Sequence, residues 1–360
     1  MEEKPRNPET PRVTAWDARD PIDPGSPICS IVIPTYNGRA LLERCLAAIE
    51  RHRPSDPRMV IEVVVADDAS TDDTAPWLAE RHPQVRVVRL ERNGGFCAAA
   101  NAGVAAARSP FIQLLNNDAE PTAGWVEAGL APFSDARVGS VAPLVLVRDQ
   151  PSRVDSAGDA YSVFGWPTKR GHGQPASRWA QHPQDEVFGA SGSSAFYRSR
   201  ALEKVGAYDP LLGAYYEDVD LAFRLRWGGF RCVYTPRSVV LHEVSATYDH
   251  RRPALVRAMA RNAEIVFWSN MPWRWLVVGL VPRLGFVAAQ TGWRVIRGRG
   301  GPFLQGKLDA LRSWKAIRER RRHRAILARS TPQAPRFAIG LGSMGDLLNH
   351  LRRPRPSARA

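Results

Sequence analysis

The stretch FIQLLNNDAEP, residues 111–121, decides how the rest of the sequence is interpreted. Its apolar run stops at two amides and a carboxylate, Asn116, Asn117 and Asp118. Asn and Asp favour turns because their side chains hydrogen-bond nearby backbone groups, so a plain turn is one interpretation. The other is that a buried strand delivers these side chains to a site for a cation and a phosphate.

Three more strand-like runs precede this one, and each also ends in polar residues or glycine: CSIVIPTYN, MVIEVVVADDAS and VRVVRL. Helical patterns alternate with them, which predicts a parallel sheet covered on both faces. Ligands of such open sheets bind beyond the carboxyl ends of the strands. We therefore expect one edge of the sheet to gather Pro34, Thr35, Tyr36, Asn37, Asp67, Asp68, Asn93, Gly95, Asn116, Asn117 and Asp118.

The second half of the chain is less regular. Residues 150–185 are rich in Gly, Pro, Ser and Arg, which indicates long loops. After about residue 250 the pattern is helical and amphipathic. We predict four regions: a flexible leader at 1–27, an α/β domain at 28–250, a basic, Trp-rich helical extension at 251–330, and a Pro/Arg-rich tail at 331–360.

Composition describes a folded protein with uneven charge. Forty-four per cent of the 360 residues are apolar, and the four cysteines are widely spaced, which favours a reducing compartment. The net charge is +14, yet residues 251–360 carry 23 Lys and Arg against 4 acids, or +19, so the first 250 residues sum to −5. This asymmetry indicates an anionic partner, a membrane surface or nucleic acid, unless the basic region is simply solvated.

Residues 272–293 combine apolar runs with Trp273, Trp275 and Trp293 beside arginines. Arg274 and Pro282-Arg283 interrupt the runs before they reach the roughly 20 residues of a membrane-spanning helix. The composition suits a helix that lies in a membrane interface. A helix packed on the rest of the protein is the alternative.

Three carboxylates, Glu217, Asp218 and Asp220, lie where a helix is predicted to begin. A helix N-terminus attracts acidic side chains through its dipole, which explains part of this cluster. Crowded carboxylates also raise one another's pKa, and a raised pKa suits a general base.

Five motifs in this order resemble the inverting nucleotide-sugar glycosyltransferases of family 2: IVIPTYNG, VVVADDASTDDT, NGGFCAAANAG, LLNNDAEP and YYEDVDLAFRLRWGGFRCVY. The resemblance covers about residues 28–250 and is strongest to bacterial rhamnosyl- and galactofuranosyltransferase-like members. It implies the GT-A fold, which is Rossmann-like with a mostly parallel central sheet between two layers of helices. It also implies transfer of a sugar from a dTDP- or UDP-linked donor with inversion, aided by Mg²⁺ or Mn²⁺.

The resemblance also implies roles for individual residues. The loops at Pro34–Asn37, Asp67-Asp68 and Asn93–Gly95 would hold the nucleotide. Asn116-Asn117-Asp118 stands at the family's DxD position, where an amide replaces the first acid, so Asp118 would be the metal-binding carboxylate. His242, 24 residues after Asp218, would be a further metal ligand; the alternative is a histidine that is exposed to solvent or satisfied in the core. Asp218 would be the general base, with Glu217 beside it.

An enzyme of this kind would act at the cytoplasmic face of the cell membrane. Its acceptor would be a glycan or a lipid-linked sugar of the cell envelope, and the basic region would bind anionic lipid. Two alternatives are a catalytically inactive GT-A scaffold, suggested by Asn116, and a nucleic-acid-binding protein. The basic region lacks zinc-finger ligand spacing and RNA-binding aromatic motifs, so no nucleic acid partner is expected.

Overall fold

The computed structural model describes residues 25–243, 252–331 and 339–340. Nearly all of the predicted leader (1–27) and tail (331–360) lies outside these residues. The predicted boundary at residue 250 also lies outside them.

A parallel four-stranded unit forms the N-terminal part of the fold. Its elements, in chain order, are β1 (Cys29–Thr35), α1 (Arg39–Arg51), β2 (Ile61–Asp67), α2 (Thr74–Arg81), β3 (Arg86–Arg89), α3 (Phe96–Ala106) and β4 (Phe111–Leu115). Strand β1 is central and pairs in parallel with both β2 and β4. Thr35 at the end of β1 stands opposite Asp67 at the end of β2, so the loops after these strands open at one edge.

The sheet continues on the far side of β4. The next elements are β5 (Ala119–Pro121), α4 (Trp125–Leu130), β6 (Val138–Val147), β7 (Gln150–Ser156), β8 (Asp159–Ser162), β9 (Pro167–Lys169), α5 (Ala176–Ala180), β10 (Asp185–Val187), β11 (Ser194–Arg198), α6 (Ser199–Val205), α7 (Glu217–Trp227) and β12 (Arg231–His242). The main strand order is β10-β12-β6-β11-β4-β1-β2-β3, with β5 on β12 and β7 on β6. Strand β11 runs antiparallel to β4 and β6, which sequence periodicity does not reveal.

Both faces of the sheet are buried, as predicted from its continuous apolar strands. Along β1, Ile31 and Ile33 join one core cluster while Val32 joins the other. Strand β2 alternates in the same way, because successive side chains of a strand point to opposite faces. The predicted α/β fold with helices on both faces is confirmed.

The prediction of long loops across residues 150–185 is wrong. This region contains β7, β8, β9 and α5, and β8 lies between β9 and a short strand β13 (Ile339–Gly340) in a second, three-stranded sheet. These strands lack the alternation of apolar and polar residues by which a strand is predicted from sequence, because they bury polar residues such as Asp155 and Ser156.

Four helices follow: α8 (Pro253–Asn270), α9 (Trp273–Ile296), α10 (Gly300–Arg312) and α11 (Trp314–Arg329). A buried ion cluster joins three of them, because Glu264 of α8 binds both Arg283 of α9 and Lys307 of α10. Arg283 also donates to the Phe164 carbonyl at 3.0 Å and lies over the Phe267 ring. Arg283, which interrupts the apolar run of residues 272–293, therefore binds α9 to the rest of the protein.

Helix α9 buries only a narrow stripe, Gly279, Arg283 and Phe286. Its opposite side is apolar and open, with Val281 77% and Leu284 63% exposed. Among the residues that the structure describes, α9 alone is long and apolar enough to cross a membrane, judged by length and composition.

Candidate active site

The loop after β1 and the loop after β2 are tied together. Asn37, with φ of +46°, accepts hydrogen bonds at its side-chain oxygen from the Thr71 and Asp72 amides at 2.7 and 3.3 Å. The backbone amide of Asn37 donates to the Ser70 hydroxyl at 3.0 Å. Tyr36 beside it is 43% exposed and available to a ligand, so Asn37 shapes the loop and Tyr36 presents a ring.

The two adjacent aspartates at the end of β2 differ in surroundings. Asp67 is fully buried, accepts a bond from the Ser70 amide at 2.9 Å, and lies 3.3 Å from Arg89. Its contribution is therefore to the shape of the loop. Asp68 accepts from the amides of Gly94 and Gly95 at 2.7 and 2.8 Å. That carboxylate fixes the glycine loop before α3, where Asn93 is exposed.

The amides after β4 reach back to β1. Asn117 donates to the Thr35 hydroxyl at 3.0 Å, and a Cβ atom at position 38 would collide with the Asn117 side-chain nitrogen, so a larger residue there would displace this amide. Pro34 is buried within β1. The backbone amide of Asn116 donates to the Ser193 carbonyl at 3.0 Å. The residues predicted to meet at the sheet edge from β1, β2 and β4 do come together.

A chain of three side chains links Asp118, His242 and Asp155. The Nε2 atom of His242 lies 3.3 Å from Asp118 Oδ1, and its Nδ1 atom lies 3.0 Å from Asp155 Oδ2. Antiparallel pairing of β12 with β5 brings His242 opposite Ala119, next to Asp118. The histidine is thus held between two carboxylates.

Sequence patterns did not identify Asp155, which lies in the region predicted to be loops. It is fully buried and also binds Lys169 Nζ at 2.9 Å and His172 Nδ1 at 3.3 Å. Burial alone would raise the pKa of Asp155, but hydrogen bonds from His172 and His242 and the charge of Lys169 hold that pKa well below its usual range. Asp155 therefore stays negatively charged next to His242.

Burial alone would lower the pKa of His242, but Asp118 and Asp155 outweigh it and raise that pKa to about 9. At this pKa the ring of the metal-free protein is an imidazolium, with Nδ1 hydrogen-bonded to Asp155 and Nε2 facing Asp118. A histidine that binds a metal through Nε2 typically donates its other N–H to a carboxylate, which is the place Asp155 occupies.

Asp118 Oδ1 and His242 Nε2 fit a divalent cation. Asp118 Oδ1 is buried and has no hydrogen-bond partner of good geometry. Its 3.3 Å separation from Nε2 is compatible with two atoms on one cation, since Mg²⁺ ligands lie about 2.1 Å from the metal. Within residues 25–243, 252–331 and 339–340, no group of three His, Cys, Asp or Glu side chains could hold a metal ion. The chain thus offers a partial ligand set.

A second acidic cluster lies at the start of α7. Asp218 is partly exposed and accepts from the Gly192 and Val219 amides at 3.0 and 2.8 Å, whereas Glu217 is buried with one carboxylate oxygen unpartnered. Burial and the neighbouring Asp218 charge raise the pKa of Glu217 well above its usual range. Burial also raises the pKa of Asp218, although the two amides oppose that change. Two backbone amides thus favour the charged form of Asp218, while one carboxylate oxygen of Glu217 is buried without a hydrogen-bond partner.

One segment connects the two acidic clusters. The Gly192 amide binds Asp218, while the carbonyl of the next residue, Ser193, binds the Asn116 amide. The nearby Asp159 on β8, which sequence patterns also missed, is buried, and burial followed by the Asp218 charge raises its pKa well above the usual range. Residues 192–193 thus connect the end of β4 to the start of α7.

Comparison with known sequences matches part of this chain to one protein family. Residues 30–206 match the family described as "Glycosyl transferase family 2". An N-acetylglucosaminyl-diphospho-decaprenol L-rhamnosyltransferase of Mycobacterium tuberculosis is 28% identical over 314 residues, which cover 78% of this chain and 99% of that protein. A pre-mycofactocin glycosyltransferase of the same species is 26% identical over 311 residues, covering 79% of this chain and 60% of that protein.

Solved structures confirm the fold implied by the motifs. GalNAc-T7, solved with UDP, GalNAc and Mn²⁺, matches with a TM-score of 0.53 at 19% identity, over 68% of this chain and 48% of that chain. The mannosyltransferase PcManGT from Pyrobaculum calidifontis, solved with GDP-Man and Mn²⁺, matches with a TM-score of 0.50 at 20% identity, over 89% of this chain and 92% of that chain. At these identities the likeness concerns the fold alone.

We predict that Asp155→Asn lowers the pKa of His242 from about 9 toward its ordinary value of 6.5 in the metal-free protein. The substitution neutralises one of the two carboxylates that favour the imidazolium. Titration of the histidine ring ¹⁵N resonances measures this change. Asp185→Asn is the matched control, because Asp185 pairs with Arg170 instead. An unchanged His242 pKa in Asp155→Asn would show that the two side chains do not interact.

Proposed function

We propose that this chain is a glycosyltransferase that uses a nucleotide-sugar donor, since residues 30–206 match glycosyltransferase family 2 and the fold is GT-A. We further propose that it transfers a hexose with inversion from a dTDP- or UDP-linked donor, with Mg²⁺ or Mn²⁺, to a glycan or lipid-linked acceptor of the cell envelope. The observation that carries the proposal is that adjacent residues bind both acidic regions: Gly192 donates to Asp218, and Ser193 accepts from the backbone amide of Asn116, two residues before Asp118.

The donor would lie along the sheet edge. Tyr36 would present its exposed ring to the nucleotide base. Gly94 and Gly95, whose amides are bound to Asp68, have no side chains and would let the ligand approach the backbone closely. Asp118 and His242 would hold the divalent cation, and Mg²⁺ commonly completes its shell with substrate phosphates and waters. When bound, this cation neutralises charge that develops on the departing diphosphate. Asn116 and Asn117, as amides, would donate hydrogen bonds to donor oxygens.

Asp218 would act as the general base. The acceptor oxygen attacks the anomeric carbon from the side opposite the diphosphate, the bond from that carbon to the diphosphate oxygen breaks, and its electron pair leaves with the diphosphate. The acceptor's proton passes to Asp218, which is the accessible carboxylate of its pair. Glu217 is buried and its raised pKa favours the protonated, neutral form. A neutral Glu217 would not repel the negative charge of Asp218.

The acceptor proposal draws support from the relatives. The rhamnosyltransferase of Mycobacterium tuberculosis is named for a decaprenol-linked acceptor, and this chain spans 99% of that protein. Rhamnose is accordingly the first sugar to test, and a polyprenyl-diphosphate-linked sugar is the first acceptor.

Helix α9 supports a peripheral association with the inner face of the cell membrane. Arg283 is bound to Glu264 within the protein, so α9 is held against the protein body along one stripe. Its open apolar side, which includes Val281 and Leu284, suits the acyl boundary of a bilayer. Several arginines of α11 are bound internally, as Arg320 is to Asp209, so only the remaining exposed cations would meet anionic lipid.

We predict that donor binding needs a divalent cation and Asp118. A thermal-shift panel would compare dTDP-rhamnose, UDP-galactofuranose and other nucleotide hexoses in the presence of Mn²⁺. We expect one donor to raise the stability of the protein more than the others, by about 2.7 kcal/mol at 100 times its Kd. EDTA or Asp118→Ala should abolish that shift. The control is Asp73→Ala, whose carboxylate is exposed and pairs with Arg39. A full shift in EDTA would refute the metal requirement.

We predict that Asp218→Asn lowers kcat by about 10²–10⁴-fold with little change in donor affinity, because general-base catalysis typically contributes that much. Glu217→Gln should have a milder effect, since Gln imitates a protonated Glu. Release of nucleoside diphosphate in the presence of acceptor measures both rates. The reverse order of effects would assign the base to Glu217.

We predict that the protein co-sediments with liposomes of anionic phospholipid and that a Val281→Ser, Leu284→Ser double variant binds at least about tenfold more weakly. Burying two such side chains contributes roughly 3–6 kcal/mol, of which only part is realised at an interface. High salt should also weaken binding. Val87→Ser, 38% exposed on β3, is the control, and equal binding by all three proteins would contradict an α9 interface.

A further inference from the structure

We propose that Asn262 of α8 is a positioning residue for the base Asp218, and that the C-terminal helical extension is therefore part of the catalytic site. The proposal rests on the function proposed above, because it takes Asp218 as the base. Asn262 is 0% exposed and lies outside the family match of residues 30–206, so neither exposure nor that match draws attention to it.

The turn before α7 has an unfavourable backbone conformation. Tyr215 and Tyr216 have φ of +67° and +71°, in the left-handed region that residues with a Cβ atom avoid. Helix α7 begins directly afterwards at Glu217. Two such residues in succession persist only where surrounding contacts hold them, and strained residues of this kind cluster at functional sites.

Asn262 makes three contacts that hold this turn. Its side-chain nitrogen lies 2.8 Å from the Leu212 carbonyl oxygen, 3.0 Å from that of Ala214 and 2.9 Å from that of Tyr215. Since an amide nitrogen carries two hydrogens, one of them is shared between two carbonyls. The three carbonyls of the turn thus converge on one buried donor.

The orientation of the Asn262 amide is fixed from its other side. Its oxygen accepts hydrogen bonds from Arg261 Nε at 3.1 Å and from a terminal Arg261 nitrogen at 3.0 Å. The same arginine donates to the Leu211 carbonyl at 2.9 Å. An arginine donates only, so the amide must present its oxygen to Arg261 and its nitrogen to the turn.

The turn lies between the two halves of the site. The Gly213 carbonyl accepts a hydrogen bond from the Cys97 amide at 3.0 Å, in the first turn of α3 after the glycine loop. At its other end, the Tyr216 carbonyl accepts from the Asp220 amide at 2.9 Å and so starts α7. A turn that relaxed would shift the first residues of α7 and move Asp218 away from the Gly192 amide. Asn262 therefore acts on the reaction through the position of Asp218.

A double-mutant cycle tests this inference in the full-length protein. Asn262→Ala should lower kcat at least tenfold, measured as nucleoside diphosphate release with the donor that the thermal-shift panel selects. Donor Kd should stay within about twofold of wild type, because Asn262 hydrogen-bonds the turn before α7 and not the strand ends proposed to hold the donor. In the Asp218→Asn background the same substitution should have no further effect on kcat, since a residue that acts through Asp218 has nothing left to position.

Two further variants keep the test decisive. Val256→Ala removes a buried side chain from the same helix, in a cluster with Ala260 and Phe303 that does not include the turn, and should leave kcat within about twofold of wild type. Asn262→Ser retains one hydrogen-bond donor and replaces Asn262→Ala if that variant does not fold, with an expected intermediate kcat.

The outcomes separate the two proposals. Unchanged turnover in Asp218→Asn would refute the assignment of the base, whatever Asn262 does. A normal kcat in Asn262→Ala, or losses that multiply in the double variant, would overturn the positioning role alone. A loss in Val256→Ala as large as that in Asn262→Ala would also overturn it, because general loosening of α8 would then account for the effect.

Discussion

Asp155 carries a negative charge with no exposed surface, and this constraint organises the polar side of the site. A buried carboxylate is costly unless cations and donors surround it. Lys169, His172 and His242 meet that need, and they come from two further strands and the turn after β9. Because His242 has one ring nitrogen committed to Asp155, its other nitrogen faces Asp118. The geometry proposed for the cation therefore depends on a residue that would not touch it.

Two adjacent residues contact both the proposed base and the proposed donor site. Strand β11 is inserted antiparallel between β4 and β6, and the segment just before it carries Gly192 and Ser193. One of these residues fixes Asp218 and the other fixes Asn116, so the distance between the proposed base and the proposed donor site follows from sheet pairing. Loops placed by a rigid sheet are where binding and catalytic residues usually lie.

Helix α8 connects the active site to the proposed membrane face. Glu264 on this helix binds Arg283 of α9, and Asn262, two residues earlier, holds the turn before α7. Asn270 at its C-terminal end donates to Asp220 at 2.8 Å, and Arg324 of α11 binds the same carboxylate. The extension is thus attached to α7 by buried polar contacts. Helix α8 contacts both α9, which would bind the membrane, and the turn that places Asp218.

Sequence patterns were enough to predict the alternation of strands and helices, the edge at which Thr35, Asp67 and Asn116 meet, and the acidic pair at the start of α7. These features are local, because side-chain periodicity and the residues that end a strand are properties of short segments. The burial of Asp67, the strands within residues 150–185, and the places of Asp155 and Asn262 beside the site are visible only in the folded chain. Asp155 meets His242 across 87 positions of sequence, and Asn262 meets Leu212 across 50. Contacts at such separations depend on how strands pair and helices pack, which no local pattern of residues specifies.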